Sequence, residues 1–110
     1  MIRAAKVFLT GILWRTARIP AAGRALVRAL GTPDEDVRTI AGIFLVRAGR
    51  RSEPLLEEAL RRRDNVPIVV SILADIGDHD VESAIRDLTS DSDPEVAQAA
   101  REALRVLHAR

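Results

Sequence analysis

The chain repeats one residue pattern about every 30 positions. Residues 93–104 match residues 34–45, which lie 59 positions earlier. The residues in register are the pairs Asp34/Asp93, Val37/Val96, Ala41/Ala100 and Leu45/Leu104. Residues 65–77 lie half-way between these stretches and match the first at an offset of 28. Such a period indicates stacked repeats, because one short unit cannot bury its own apolar face.

Each unit carries the pattern of two helices. In 34–48 the apolar residues follow the i, i+3, i+4, i+7 spacing of a helix with one buried face. Asp34 precedes this segment as a helix cap, and Gly49 follows it as a helix stop. Asp93 and Pro94 open the last segment in the same way. The sequence therefore predicts an all-α chain of seven helices, at about 2–16, 20–30, 34–48, 53–63, 66–76, 79–89 and 94–108.

These helices pair into units of one domain, residues 1–110. Residues 2–16 match the second helix of a unit, so the array begins with a half-unit at 1–18. Complete units are expected at about 19–49, 50–77 and 78–110. The predicted fold is a short right-handed α-solenoid of about three and a half helix pairs.

The repeat resembles the HEAT repeat, in particular the short bacterial HEAT-like repeats also found in phycobilisome lyases. Two stretches carry this resemblance: Leu88, Asp91, Asp93-Pro94-Glu95-Val96, Ala99-Ala100 and Ala103-Leu104; and Leu30, Asp34, Val37-Arg38, Ala41, Leu45 and Gly49. The resemblance implies a fold and a style of binding, and most members of such families bind without catalysing. The family often has an Arg after the Val, which pairs with an Asp of a neighbouring unit. Arg38 is the Arg of this position in the first complete unit, and Lys6 is a candidate substitute in the half-unit. Val66 and Ala97 stand at this position in the other two units. A ladder of ion pairs between units is therefore expected to be incomplete.

Charge divides the chain unevenly. Residues 1–33 hold six basic residues and no acid, whereas residues 34–110 carry a net charge of −5. A basic end can attract an anionic partner. However, all the basic residues except Lys6 are Arg, a skew that GC-rich coding also produces. The abundance of Arg is therefore weak support for phosphate binding.

The chain has few of the groups that catalysis or metal binding needs. It has no Cys, which excludes thiol nucleophiles, disulfides and Cys-based zinc sites. His79 is expected in a solvated helix-start loop and His108 on the surface near a helix end. The acidic run 34–36 is expected to cap a helix rather than bind a cation. We expect a protein that is not an enzyme and needs no cofactor or metal.

No stretch approaches the roughly 20 apolar residues that span a membrane. The longest apolar run, 7–14, is followed at once by Arg15, which disfavours a cleavable signal peptide. The expected compartment is the cytoplasm.

The second helices of the units are expected to line the concave face of the solenoid. On each of these helices, the position after the repeated Val and every fourth residue beyond it lie on one side. Together they form a stripe across the units that is apolar in its middle and basic at both sides. The partner-binding residues predicted on it are Lys6, Trp14, Arg38, Val46, Val70, Ala74, Arg101 and Arg105. Trp14, Val46 and Ala74 are expected to be exposed, with Trp14 as an anchor. The row Thr10, Gly42 and Val70 is interpreted as helix-to-helix packing, with a binding surface as the alternative.

The first helix is more apolar than one buried face requires. Its large apolar residues are Ile2, Val7, Phe8, Leu9, Ile12, Leu13 and Trp14. Exposed apolar surface of this kind usually marks an interaction site, although a tilt of the helix against 20–30 and 34–48 would hide it. The leading expectation is a non-catalytic protein-interaction or scaffold module, which binds an unidentified protein or a second copy there or on the concave face. The alternatives are a nucleic-acid or anionic-surface binder that uses the basic first third, and an accessory subunit of a lyase-like enzyme.

Overall fold

A computed structural model describes residues 2–17 and 20–109. All regular secondary structure in these two ranges is helical, which confirms the predicted all-α class. The α-helices are α1 (Ile2–Ala17), α2 (Pro20–Ala29), α3 (Glu35–Ala48), α4 (Glu53–Arg61), α5 (Val66–Ile76), α6 (Glu82–Leu88) and α7 (Pro94–His108). Short 3-10 turns lie at Gly49–Ser52 and His79–Val81. The segment predicted as a helix at 79–89 therefore begins as a 3-10 turn and becomes α-helical only at Glu82.

Aspartate side chains cap two of the helices as the sequence predicts. Asp34 Oδ1 accepts hydrogen bonds from the backbone N–H groups of Asp36 (3.0 Å) and Val37 (3.4 Å). Asp93 Oδ1 accepts one from the N–H of Glu95 at 2.9 Å. These N–H groups have no partner inside the helix, so each carboxylate stabilises a helix start.

Residues with a positive φ end two of the helices and form one turn. Gly49 ends α3 with a φ of 59°, and Gly77 ends α5 with a φ of 80°. The turn between α4 and α5 contains Arg63 (φ 62°) and Asn65 (φ 51°). Asn tolerates this region, whereas for Arg it costs about 1 kcal/mol, which other contacts must offset.

The helices pack on one another in chain order. Helix α1 packs on α2 and α3, α3 on α2 and α5, and α5 on α4 and α7, while α6 packs on α7. Helices α2 and α4 also touch. The described part of the chain measures 38 × 26 × 24 Å, with a radius of gyration of 13.5 Å.

One core of aliphatic side chains runs through these contacts. Its fully buried large members are Leu26, Leu45, Leu56, Leu73, Ile85 and Leu107. Helix α5 is apolar around most of its circumference and lies between α3, α4 and α7. Val70 and Ala74 are therefore buried, and the exposure expected for Ala74 is wrong.

Candidate interaction surface

Helix α1 exposes four large apolar side chains. The exposed fractions are 50% for Phe8, 60% for Leu9, 38% for Ile12 and 50% for Leu13. These four residues form the α1 apolar face. The prediction that the first helix has more apolar residues than one buried side can hide is confirmed by these four, and the alternative in which the helix tilts to hide them is wrong. The side chain of Ile2, which the same prediction included, lies outside the described residues.

Close packing against α2 and α3 fixes which side of α1 is exposed. Val7, Gly11 and Trp14 are buried, at the i, i+4, i+7 spacing of one helix side. Gly11 lies against the ring of Phe44 on α3, so closely that a Cβ on Gly11 would lie 2.2 Å from Phe44 Cδ2. The Phe8 ring meets the Phe44 ring edge-on, with 5.6 Å between centroids. These contacts turn the α1 apolar face away from the rest of the chain.

Trp14 belongs to the buried side of α1. Only 4% of it is exposed, and its indole packs so closely on Gly23 of α2 that a Cβ there would lie 2.8 Å from Nε1. The Arg51 guanidinium lies 4.9 Å from the ring centroid, and Arg51 Nη2 donates a hydrogen bond of 3.3 Å to the Trp14 carbonyl oxygen. The prediction of an exposed Trp14 anchor is therefore wrong. A small residue on α2 provides the space that buries the indole.

Basic side chains flank the α1 apolar face. Arg3, Lys6 and Arg15 are exposed on α1, and we call them the basic rim. The sequence has no acidic residue before Asp34, so no carboxylate on α1 or α2 neutralises the rim. Arg18, which the sequence analysis counts with this basic group, lies outside the described residues.

The basic residues of the first third do not share one hollow. Arg3 and Lys6 line one hollow, Arg15 lines a second, and Arg24 and Arg28 line a third. A phosphate-binding surface built from the basic first third would require these residues to form one patch. Their distribution among three hollows weakens that alternative.

Within the described residues, the predicted concave stripe is not a continuous exposed surface. Lys6 is exposed and Val46 is half-buried, whereas Val70 and Ala74 belong to the core. A Cβ on Gly42 would lie 3.8 Å from Ile72 Cδ1 on α5, an ordinary contact. The row that contains Gly42 and Val70 therefore packs helix against helix, as interpreted from the sequence.

The arginines of that stripe bond to nearby groups of the same chain. Arg38 Nη1 donates to the Thr32 carbonyl oxygen at 2.8 Å. Arg101 Nη1 donates to the Thr89 carbonyl oxygen at 3.3 Å. Arg105 pairs with Glu102, one turn earlier on α7. Arg101 and Arg105 are therefore exposed, and each is bonded to a group of the same chain.

A pair of carboxyl groups missed by the sequence analysis lies where the two 3-10 turns meet. Burial, followed by the adjacent Asp78, raises the pKa of Glu53 to about 7. Its Oε2 is buried and has no hydrogen-bond partner among the described residues. The N–H of Asp80 and then Glu53 lower the pKa of Asp78, whose Oδ2 also lies 3.1 Å from Arg50 Nε. Glu53 therefore favours its neutral form beside an ionised Asp78.

Two ion pairs connect residues that are 28 positions apart. Arg50 pairs with Asp78, and Arg63 pairs with Asp91. Neither pair is predicted from the sequence above, where an Arg is expected only after the repeated Val. The signal was present: Arg50 and Asp78 follow Gly49 and Gly77, which match at an offset of 28.

The two histidines flank one carboxylate. His108 Nε2 lies 3.0 Å and His79 Nδ1 lies 3.6 Å from Glu82 Oε1. Arg86, followed by the two histidines, lowers the pKa of Glu82. In the described ranges, no group of three or more His, Asp or Glu is placed to hold a metal ion. The cluster is a surface charge network.

No helix within residues 2–17 and 20–109 is both long and apolar enough to cross a membrane.

Comparisons with protein-family models, with curated proteins and with solved structures find no match for this chain. The resemblance to HEAT repeats therefore rests on the repeated residues of the sequence alone.

Proposed function

We propose that this chain is a short HEAT-like α-solenoid that binds a protein partner, without catalysis, through the α1 apolar face. The observation that carries the proposal is the exposure of Phe8, Leu9, Ile12 and Leu13 on a helix whose opposite side is tightly packed. The proposed compartment is the cytoplasm, on the sequence grounds given above.

The order of helix contacts supports the solenoid. Helices α1, α3, α5 and α7 touch successively, and α2, α4 and α6 each pack beside that row. Four helices side by side at 8–10 Å spacing extend over roughly 35–40 Å. The long axis of the described chain is 38 Å. The ion pairs at an offset of 28 support it too, because they join equivalent corners of successive units.

The concentration of apolar exposure supports α1 as the binding element. Among the large apolar side chains exposed in the described residues, only Ile43 lies outside α1. Full burial of such a side chain contributes about 1.5–3 kcal/mol, so covering four half-exposed ones contributes roughly 4 kcal/mol. The predicted concave stripe offers less, because Val70 and Ala74 are already buried.

An anionic surface, nucleic acid or lipid, is the second candidate. The observation that favours it is the basic rim, with no acidic residue on α1 or α2. The separation of the basic residues into three hollows favours the protein partner instead. The accessory-subunit alternative stays a prediction.

Site-specific photo-crosslinking tests the proposal. A photoreactive residue at Leu9 is compared with one at Gln98, which is also exposed, on α7. We expect protein adducts at position 9 that are absent at position 98 and disappear when Leu13→Asp is added. Equal adducts at both positions, or adducts to nucleic acid or lipid alone, would contradict the proposal. An adduct between two copies of this chain would identify the partner as a second copy.

A further inference from the structure

Two of the three helices that cover an α1-like helix share one pattern, whereas the third, α2 on α3, carries Arg24 and Arg28 and no acid. Helix α4 packs on α5, and α6 packs on α7. Each of these two covering helices is short and buries one aliphatic stripe, with Leu56 and Ala59 on α4 and Ile85 on α6. Both helices also carry acidic residues outside this aliphatic stripe. These are Glu53, Glu57 and Glu58 on α4, and Glu82 and Asp87 on α6.

From this pattern we propose that the partner presents a short acidic amphipathic helix, of the α4 type, to the α1 apolar face. This inference rests on the proposed function and adds the chemistry of the partner.

The dimensions of the two surfaces agree. The exposed apolar residues of α1 extend from Ala5 to Leu13, which at 1.5 Å per residue is about 12 Å. The nine residues of α4 extend over about 13 Å at the same rise. A helix of two to three turns therefore covers the whole face.

Charge decides between an acidic helix and a second copy of this chain. The basic rim of Arg3, Lys6 and Arg15 has no carboxylate nearby on α1 or α2. An α1-to-α1 dimer would bring two such rims together, and like charges at an interface are unfavourable. Helices α4 and α6 of a second copy are not available, because Leu56 and Ile85 are fully buried in their own core.

The seating of the apolar side chains favours a helix over a lipid surface. An interfacial helix inserts its apolar face roughly 5–10 Å into the headgroup and acyl boundary. The Phe8 ring, which is half exposed, is instead held edge-on against Phe44. A partner helix packs its side-chain ridges into surface grooves, so it can cover this face by contact and without insertion.

The probe is a helix-stapled peptide with the sequence of Glu53–Arg61, titrated into the full chain. The matched control peptide replaces its three Glu residues by Gln and keeps every apolar residue. The variants of the full chain are Leu9→Asp, which places a charge on the face, and Lys6→Glu, which reverses one charge of the rim. Gln98→Asp on α7 is the matched control variant. Circular dichroism establishes that each variant folds.

We expect the acidic peptide to bind, and both Leu9→Asp and Lys6→Glu to weaken it about tenfold or more, while Gln98→Asp does not. The Gln peptide is expected to bind about tenfold less tightly. Amide shifts in NMR spectra are expected to change on α1 and not on α7.

Equal binding of the acidic and Gln peptides would overturn the acidic partner and leave the proposed function intact. The same conclusion would follow if neither peptide bound a protein that still crosslinks a partner at position 9. Binding of phosphatidylglycerol vesicles or duplex DNA, with neither peptide bound, would overturn both proposals.

Discussion

Arg63 donates two parallel hydrogen bonds to Asp91, from Nη1 to Oδ1 at 2.8 Å and from Nη2 to Oδ2 at 3.0 Å. The pair joins the turn after α4 to the turn before α7, across 28 residues. Arg63 has a φ of 62°, so its side chain helps to hold a backbone conformation that Arg disfavours. Arg63 in turn lowers the pKa of Asp91.

Loss of this ion pair should lower stability in a salt-dependent manner. We expect Asp91→Asn to lower the thermal midpoint most at low ionic strength, because salt screens exposed charges. The pKa of Asp91 is lowered in the folded state, so its contribution is present at neutral pH and is lost as the pH falls below the ordinary range of Asp. Thermal melts across a NaCl series measure the effect, with Asp87→Asn on α6 as the control. A deficit that does not change with salt would show that the pair contributes no electrostatic stabilisation.

Two helical glycines should respond oppositely to alanine. We expect Gly11→Ala to destabilise the fold by about 1–3 kcal/mol, because its Cβ would lie 2.2 Å from the Phe44 ring. We expect Gly42→Ala to stabilise it by about 0.5–1 kcal/mol, because its Cβ would meet only Ile72 Cδ1, at 3.8 Å, and Ala favours the helix. Urea unfolding of both variants measures the difference. Similar effects of the same sign would mean that α1 does not pack on Phe44 as described.

The central helix should be sensitive to a cavity. Leu73 is fully buried on α5, between α3 and α7. We expect Leu73→Ala to lower the free energy of unfolding by about 2–5 kcal/mol. The matched control is Leu9→Ala, which removes the same atoms from a side chain that is 60% exposed and should cost far less. Equal midpoints for the two variants in denaturant would show that the helix register is wrong.

Local signals in the sequence were sufficient for the helices and insufficient for their orientation. The helix predicted at 66–76 has those bounds in the structure, because its apolar run is closed by Gly77. Which side of α5 faces solvent could not be predicted, because the helix is apolar nearly all round. The packing of the neighbouring helices on α5 determines which side is exposed. The burial of Trp14 likewise depends on Gly23 and on Arg51, which is 37 positions away. No periodicity within α1 contains that information.

The buried position of Trp14 has a direct optical test. It is the only Trp in the sequence, so its fluorescence reports this site alone. We expect an emission maximum to the blue of free tryptophan and weak quenching by iodide, because 4% of the residue is exposed. Both should change on unfolding in urea and remain unchanged when the α1 apolar face is occupied. Emission like that of free tryptophan in the folded protein would restore Trp14 as a contact residue.

The raised pKa of Glu53 should make the fold less stable as the pH rises. The folded state holds the Glu53 proton up to a pKa of about 7, whereas the unfolded state releases it near the ordinary value of 4.5. Between these values the folded chain binds more protons, so the contribution of Glu53 is fully present below about pH 4.5 and is lost as the pH rises to about 7. We expect Glu53→Gln, which keeps a neutral donor beside Asp78, to be more stable than the natural chain by about 1–2 kcal/mol above pH 7, because solvent screens part of the effect at a half-buried group.

Urea unfolding near pH 4.5 and near pH 8 measures this difference, and comparison with the natural chain cancels the other titrating groups. At the lower pH the two proteins should be nearly equal, because Glu53 is then largely neutral in the natural fold. Glu57→Gln is the graded control: Glu57 is the smallest contributor to the raised pKa, so its removal should act in the same direction and more weakly. A Glu53→Gln variant that is no more stable than the natural chain at the higher pH would show that Glu53 ionises without cost beside Asp78.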